Sequence, residues 1–248
     1  MAAGSLKPAG RVLAEAGGRH ALDLTGATLA GYRTCLTHAG YLRALGNSAL
    51  ISGAVVALGL LVNGAAGYAL ARLAWPGRRL LLGLVVAVMV VPFEAIAVPL
   101  FYAAARLGLR DTYLVQILPF VADAFSIYLF YSFFRGLPRE LEEAAYVDGA
   151  STLRCLVEVV APASAPAAAT VAVLTLLGRW GSYLWPLLVT SGPRVRPLPV
   201  ALATLYTLPP RDWGAILAFG VLSAAPPLLL FLLFQRAFLR GAAAAGGQ

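Results

Sequence analysis

Long stretches without charge alternate with short arginine clusters along this chain. No charged residue occurs between Arg43 and Arg72, or between Asp212 and Arg236. Each gap exceeds the ~20 apolar residues that a helix needs to cross bilayer hydrocarbon. Three further apolar stretches carry one internal charge each, Glu94, Asp123 and Arg179. The pattern predicts five membrane helices, near 48–73, 80–105, 113–134, 162–189 and 213–234. Gly53, Gly59, Gly64 and Gly67 stud the first, where small residues let membrane helices pack closely. Pro92 and Pro99 are expected to kink the second.

The most polar island of the second half is 142–162, between two of these helices. It reads as two short helices hinged at a turn. Arg139 to Val147 is rich in the helix formers Glu, Leu and Ala. Asp148-Gly149 supplies the break, since glycine tolerates a positive φ. Ser151 or Thr152 is placed to cap the second helix, in which Leu153, Leu156, Val157 and Val160 recur at helical spacing. Pro162 suits the first turn of the next helix. Ala144-Ala145, with almost no side-chain bulk, lets another backbone come close. Two readings fit: a docking knob for a partner protein, or an amphipathic loop lying at the membrane interface.

Composition sharpens the class. The chain has 248 residues, 60% of them hydrophobic and only 12% charged, about half the charge of a soluble domain. Its mean hydropathy is +0.80. The net charge of +8 is spread over short loops rather than gathered on one polar face, which argues for lipid headgroups and against nucleic acid. Lys7 is the only lysine, so a phosphate-binding loop of the Gly-Lys-[Ser/Thr] kind is excluded and any ATP is hydrolysed by another chain. Cys35 and Cys155 fall in polar segments assigned to opposite sides of the membrane, so a disulfide is not expected, and two thiols are too few for a zinc site. No metal is expected. His20 and His38 read as surface residues.

The residues Glu143-Ala144-Ala145, Asp148-Gly149-Ala150 and the later Pro162 resemble the EAA loop of permease subunits of bacterial ABC importers. In that family the loop forms cytoplasmic coupling helices that sit in a cleft of the ATPase. Other strings carry the likeness along most of the chain, from about Ser5 to Gly241. They are Ser5-Leu6-Lys7-Pro8, Thr28-Leu29 with Tyr32, Asn47-Ser48, residues 107–113, 178–187, Leu198-Pro199-Val200 and 235–241. Gly181-Ser182 departs from the Asn or acidic residue common there. The chain is most similar to the carbohydrate-uptake group, the G-type subunits of maltose permeases.

The resemblance implies an all-α polytopic membrane helix bundle. It divides the chain into an external segment 1–43, a permease domain 44–241 with its coupling loop at 139–162, and a disordered tail 242–248. The likeness starts just after where the family's first membrane helix ends, so that helix is expected to be missing from this sequence, through a misassigned start or a true truncation. The implied function is the non-catalytic translocation subunit of a binding-protein-dependent importer of a sugar or oligosaccharide, in a bacterial inner membrane. The implied partners are an ABC ATPase dimer, which holds ATP and magnesium, a second permease, an extracytoplasmic solute-binding protein and membrane lipid. This chain itself binds no cofactor. A glycerol phosphate or another polyol is the alternative cargo, and a non-transporting remnant the alternative state. A membrane enzyme is disfavoured because no His, Cys or Lys lies near the bilayer acids.

ATPase coupling is assigned to Glu143, Ala144, Ala145, Asp148, Gly149, Ala150 and Pro162. For the translocation path the candidates are Glu94, Asp123, Trp180 and Tyr183. An acid at membrane depth costs ~2.5–3.5 kcal/mol, so it faces a cavity or a partner; Glu94 and Asp123 either meet sugar hydroxyls or are neutralised, for instance by Arg179. Trp180 and Tyr183, with Trp185, either stack on sugar rings or form an interfacial belt. Arg72, Arg78, Arg79, Arg135, Arg139, Arg154, Arg236 and Arg240 fall on the inside of this topology, and Arg106, Arg110, Arg194, Arg196 and Arg211 outside.

Overall fold

The computed structural model of the chain describes every residue except 16, 17, 19, 21, 38, 39, 208–210 and 246–248; for 9, 231 and 233–245 it describes the backbone without side chains. The surface position expected of His38 lies outside the described residues. His20 is exposed, its side chain at 75%.

Among the described residues all regular structure is helical. Three short helices open the chain, α1 (Ala2–Ser5), α2 (Ala9–Ala14) and α3 (Ala30–Thr37). The first long helix, α4 (Tyr41–Arg72), starts earlier than residue 48. Where one kinked helix was expected over 80–105, two helices stand at 103°, α5 (Arg78–Val88) and α6 (Phe93–Arg106). Pro92 lies in their break, where it disfavours helical backbone at the residue before it. The third stretch is α7 (Tyr113–Ile117), a 3-10 turn (Leu118–Phe120) and α8 (Ala124–Gly136).

The polar island holds α9 (Glu140–Val147), α10 (Thr152–Cys155), a π turn (Leu156–Val160) and α11 (Ala161–Ala163). The helix expected over 162–189 is instead α12 (Ala165–Trp180) and α13 (Leu184–Val189), and the run that ends with α11 meets α12 at 77°. Pro162 therefore sits at the end of the island rather than at the start of a membrane helix. The expected external loop 190–211 contains α14 (Leu198–Thr207). α15 (Trp213–Ala245) continues into the segment expected as a disordered tail, of which 246–248 lie outside the described residues. Three described helices are long and apolar enough to cross a membrane, or up to five if each bent pair is one span.

The chain forms two compact units: residues 1–52, 104–116 and 178–232 in one, 53–103, 117–177 and 233–248 in the other. In the first, Cys35, Tyr41, Ala44, Leu198, Ala218 and Phe219 make the core. Tyr41 meets Phe219 edge-on at 5.1 Å and donates its hydroxyl to the Leu222 carbonyl. Burial pushes the Cys35 thiol up to about 11. Side chains tie down the irregular backbone before α14. Asn47 donates to the carbonyls of Arg194 and Arg196 (3.1 and 2.9 Å), Gln116 donates to that of Val195, and the Leu198 amide donates to Ser48 Oγ. These buried groups satisfy peptide groups that have no helical partner. At the chain start, Lys7 bonds Glu15 Oε2 at 2.6 Å and Ser5 Oγ bonds the Tyr32 hydroxyl.

In the second unit α8 packs on the C-terminal half of α4. Tyr68, Phe130, Phe134, Cys155, Val160 and Val171 belong to its core. Phe130 stacks on Phe134 at 5.7 Å, and Tyr68 meets Phe134 edge-on. A Cβ at Gly67 would lie 2.6 Å from Phe130 Cβ and 3.0 Å from the Tyr131 amide nitrogen, so only glycine permits this approach. Gly53 has nothing within 4 Å of such a Cβ. Replacing Gly67 by Val therefore forces the two helices apart, an overpacking cost of about 1–3 kcal/mol. The measured melting temperature of Gly67→Val in detergent should fall, and that of Gly53→Ala should hold; equal stability of the two variants would contradict the packing.

Candidate functional site

The polar island is built as its residue pattern predicts at the hinge. Glu140, Glu142 and Glu143 occupy the first turn of α9, where carboxylates favour the positive end of the helix. At the other end Gly149 takes φ +79. Its amide donates to the Tyr146 carbonyl (3.0 Å) and that of Ala150 to the Ala145 carbonyl (2.9 Å). This is a Schellman closure, which needs left-handed backbone at the position just past the cap. Ser151 caps α10, its hydroxyl accepting from the Arg154 amide.

The seven candidate coupling residues share this segment and divide by exposure. Glu143, Ala144, Asp148, Gly149 and Pro162 are exposed, while Ala145 and Ala150 are half-buried, Ala145 against the core. Three apolar side chains stand out in solvent beside them: Val147 (87% exposed), Leu153 (70%) and Val157 (59%). The stripe predicted through Leu153, Leu156, Val157 and Val160 is thus divided, with Val160 buried and Leu153 and Val157 facing out. The π turn at 156–160 shifts the register of the helix and so separates these faces.

Glu142, which is not among the candidates drawn from the residue pattern, holds the segment in place. Its carboxylate pairs with Arg72, the last residue of α4, at 2.8 Å between Oε1 and Nε, with side-chain exposures of 10% and 7%. The Arg72 N–H is not aimed along this contact, which makes it an ion pair rather than a hydrogen bond. Tyr68 donates its hydroxyl to the second carboxylate oxygen at 3.1 Å, and Arg72 Nη2 donates to the Leu137 carbonyl at 2.6 Å. α9 is thereby fastened to the end of α4 by its buried side and leaves Glu143, Ala144, Val147 and Asp148 free to meet another surface. A glutamate followed by a glutamate gives no local signal for which one turns inward.

Of the candidate path residues, Glu94 and Asp123 belong to one compact unit and Trp180 and Tyr183 to the other. Asp123 is the N-cap of α8. Its carboxylate accepts from the Ser126 amide (2.8 Å) and hydroxyl (2.6 Å), and its own amide donates to Asn63 Oδ1. Asn63 also donates to the Val121 carbonyl, so the break before α8 is satisfied by side chains. Glu94 is exposed in the first turn of α6. In the other unit, Trp180 packs against the core and donates its indole N–H to the Ser223 carbonyl. Tyr183 is 44% exposed.

Residues 63–243 match the model of the binding-protein-dependent transport system inner membrane component. The chain belongs to this family. It is 36% identical over 220 residues to the arabinooligosaccharides transport system permease protein AraQ of Halalkalibacterium halodurans, covering 88% of this chain and 79% of that one. It is 34% identical to the osmoprotective compounds uptake permease protein GgtD of Synechocystis (96% and 82% covered). It is 32% identical to the sn-glycerol-3-phosphate transport system permease protein UgpE of Yersinia pestis (79% and 70%). The fold matches, at a TM-score of 0.82, a chain in the crystal structure of a bacterial ABC transporter involved in the import of the acidic polysaccharide alginate, covering 95% of this chain and 88% of that one at 24% identity. The permease is an inner membrane component, and the helical architecture fits several passes through the membrane.

Removing one partner of a buried ion pair strands the other charge, at about 3–5 kcal/mol. Glu142→Ala should therefore lower the melting temperature of the permease in detergent well beyond Glu143→Ala, which loses only an exposed side chain. The reverse order would contradict the roles given to the two glutamates.

Proposed function

We propose that this permease is the translocation subunit of an ATP-driven importer for an oligosaccharide or related polyol, and that residues 139–162 dock on its ATPase. One observation carries the coupling role. α9 is held to α4 by Glu142 and Arg72 on its buried side, and it displays a small-residue surface at Ala144 with Glu143, Val147 and Asp148 around it. An exposed apolar and acidic face on a firmly anchored helix is suited to a basic cleft in a partner. No group in this chain needs to perform chemistry. ATP-driven closure of the ATPase pulls on α9, the ion pair passes the displacement to α4, and the membrane helices change access.

The partners that complete such a machine are an ATPase dimer, a second permease and a solute-binding protein. A carbohydrate is favoured as cargo by the arabinooligosaccharide relative. The glycerol phosphate and osmoprotectant relatives support a second reading, a smaller polyol or its phosphate. Trp180, Tyr183, Glu94 and Asp123 keep their candidate place on the path. Of the four, Asp123 has a structural duty as the N-cap of α8.

Gly149→Asp tests the coupling role. Aspartate enters left-handed backbone at less cost than a branched residue, so the permease should remain in the membrane at wild-type amounts. The altered hinge and the extra charge beside Asp148 should cut uptake of labelled solute by about tenfold or more, a loss of about 1.4 kcal/mol in coupling. Wild-type uptake in this variant would overturn the assignment.

A further inference from the structure

We propose that the permease carries a pocket for the phosphate headgroup of an anionic phospholipid at the start of α5. A pocket of about 400 Å³ is lined by Arg72, Arg78, Arg79, Arg135, Arg139 and Tyr131, among others. All of its arginines lie in one of the two compact units. The basic residues that read as scattered along the sequence are thus partly gathered.

Of the five guanidiniums only Arg72 has a carboxylate partner among the described residues, namely Glu142. Arg78 donates to the Leu73 carbonyl at 3.0 Å. Arg135 donates to the Tyr131 hydroxyl at 3.2 Å, with its guanidinium 5.8 Å from that ring centroid. These contacts hold the two side chains without neutralising them. Four like charges around one concavity repel each other, and an anion among them removes that repulsion. Planar guanidinium forks match phosphate oxygens in geometry.

The backbone adds to the same site. Arg78 and Arg79 are the first residues of α5, an 11-residue helix whose N-cap, Gly77 at φ +87, supplies no side-chain hydrogen bond. The first amides of the helix therefore lack a capping oxygen, and a phosphate at that end accepts from them.

What distinguishes a lipid from a dissolved phosphate is the surface next to the pocket. Directly after Arg79, α5 turns apolar and presents Leu80 (71% exposed), Leu84 (52%) and Val88 (57%) at successive four-residue steps. Such steps form one stripe along a helix. With α6, α5 passes as a bent membrane span. A headgroup in the arginine pocket places its acyl chains along that stripe, the arrangement expected of basic pockets at the cytoplasmic leaflet.

The test is native mass spectrometry of the full-length permease in a neutral detergent, titrated in parallel with phosphatidylglycerol, phosphatidylcholine and inorganic phosphate. Phosphatidylglycerol should bind in preference to phosphatidylcholine, and inorganic phosphate at equal concentration should not displace it. In Arg79→Gln the affinity for phosphatidylglycerol should fall about fivefold, and in the triple variant with Arg135→Gln and Arg139→Gln on the order of 100-fold. Binding of phosphatidylcholine, which should not change, reports that the variants are folded. Equal binding of the two lipids, or unchanged phosphatidylglycerol binding by both variants, would overturn the proposal. Displacement by inorganic phosphate would make the pocket a soluble-anion site instead. Loss of the lipid on addition of purified ATPase would assign the arginines to an acidic protein surface, and would likewise overturn it.

Discussion

The buried pair of Arg72 and Glu142 is the constraint on which the polar island of this permease depends. A guanidinium and a carboxylate withdrawn from water are costly apart and tolerable together, so each fixes the place of the other. Arg72 ends α4 and Glu142 lies in the first turn of α9; their contact decides which face of α9 is left exposed. The aromatic packing beneath it, Tyr68 against Phe134 and Phe130 at Gly67, brings α8 close enough for the Leu137 carbonyl to accept from the same arginine. What remains outward is the face that we propose docks on an ATPase.

A second regularity concerns the places where helices break. Backbone that leaves helical geometry in a membrane protein needs partners other than water. Two asparagines of α4 supply them. Asn47 serves the carbonyls of 194 and 196, and Asn63 serves Val121 and the Asp123 amide. Asp123 then caps α8. Polar residues inside apolar stretches are therefore read first as keepers of irregular backbone, and only afterwards as contacts for a solute.

Much of this is legible in the residue pattern. The charge-free gaps locate the long helices, and Gly149 and Ser151 mark the hinge and the cap of the polar island, because left-handed backbone and an N-cap each demand a short list of residue types. The breaks are less legible. Pro162 draws the expected helix start towards itself, yet the 77° bend falls after α11, and nothing in a run of Ala, Pro and Ser distinguishes a proline inside a last turn from one opening a new helix. α14 escapes notice because its apolar run is too short to span and reads as loop. Glu142 escapes notice because its role is set by Arg72, seventy positions earlier, and no local spacing encodes that pairing. The same holds for the arginines around the pocket, which come from α4, α5, α8 and the N-cap of α9.

The central claim is that α9 and the end of α4 move as one body. It is tested most directly by a spin-label distance between Leu61→Cys on α4 and Leu141→Cys on α9, both exposed positions, in a chain whose buried Cys35 and Cys155 have been replaced. The distance would be recorded in the assembled transporter without nucleotide and again with ATP trapped. The ion pair predicts a single narrow distribution that does not shift between the two states, and that broadens in Glu142→Gln. A shift on trapping ATP with the pair intact would mean that the coupling helix slides on α4, and would contradict the account.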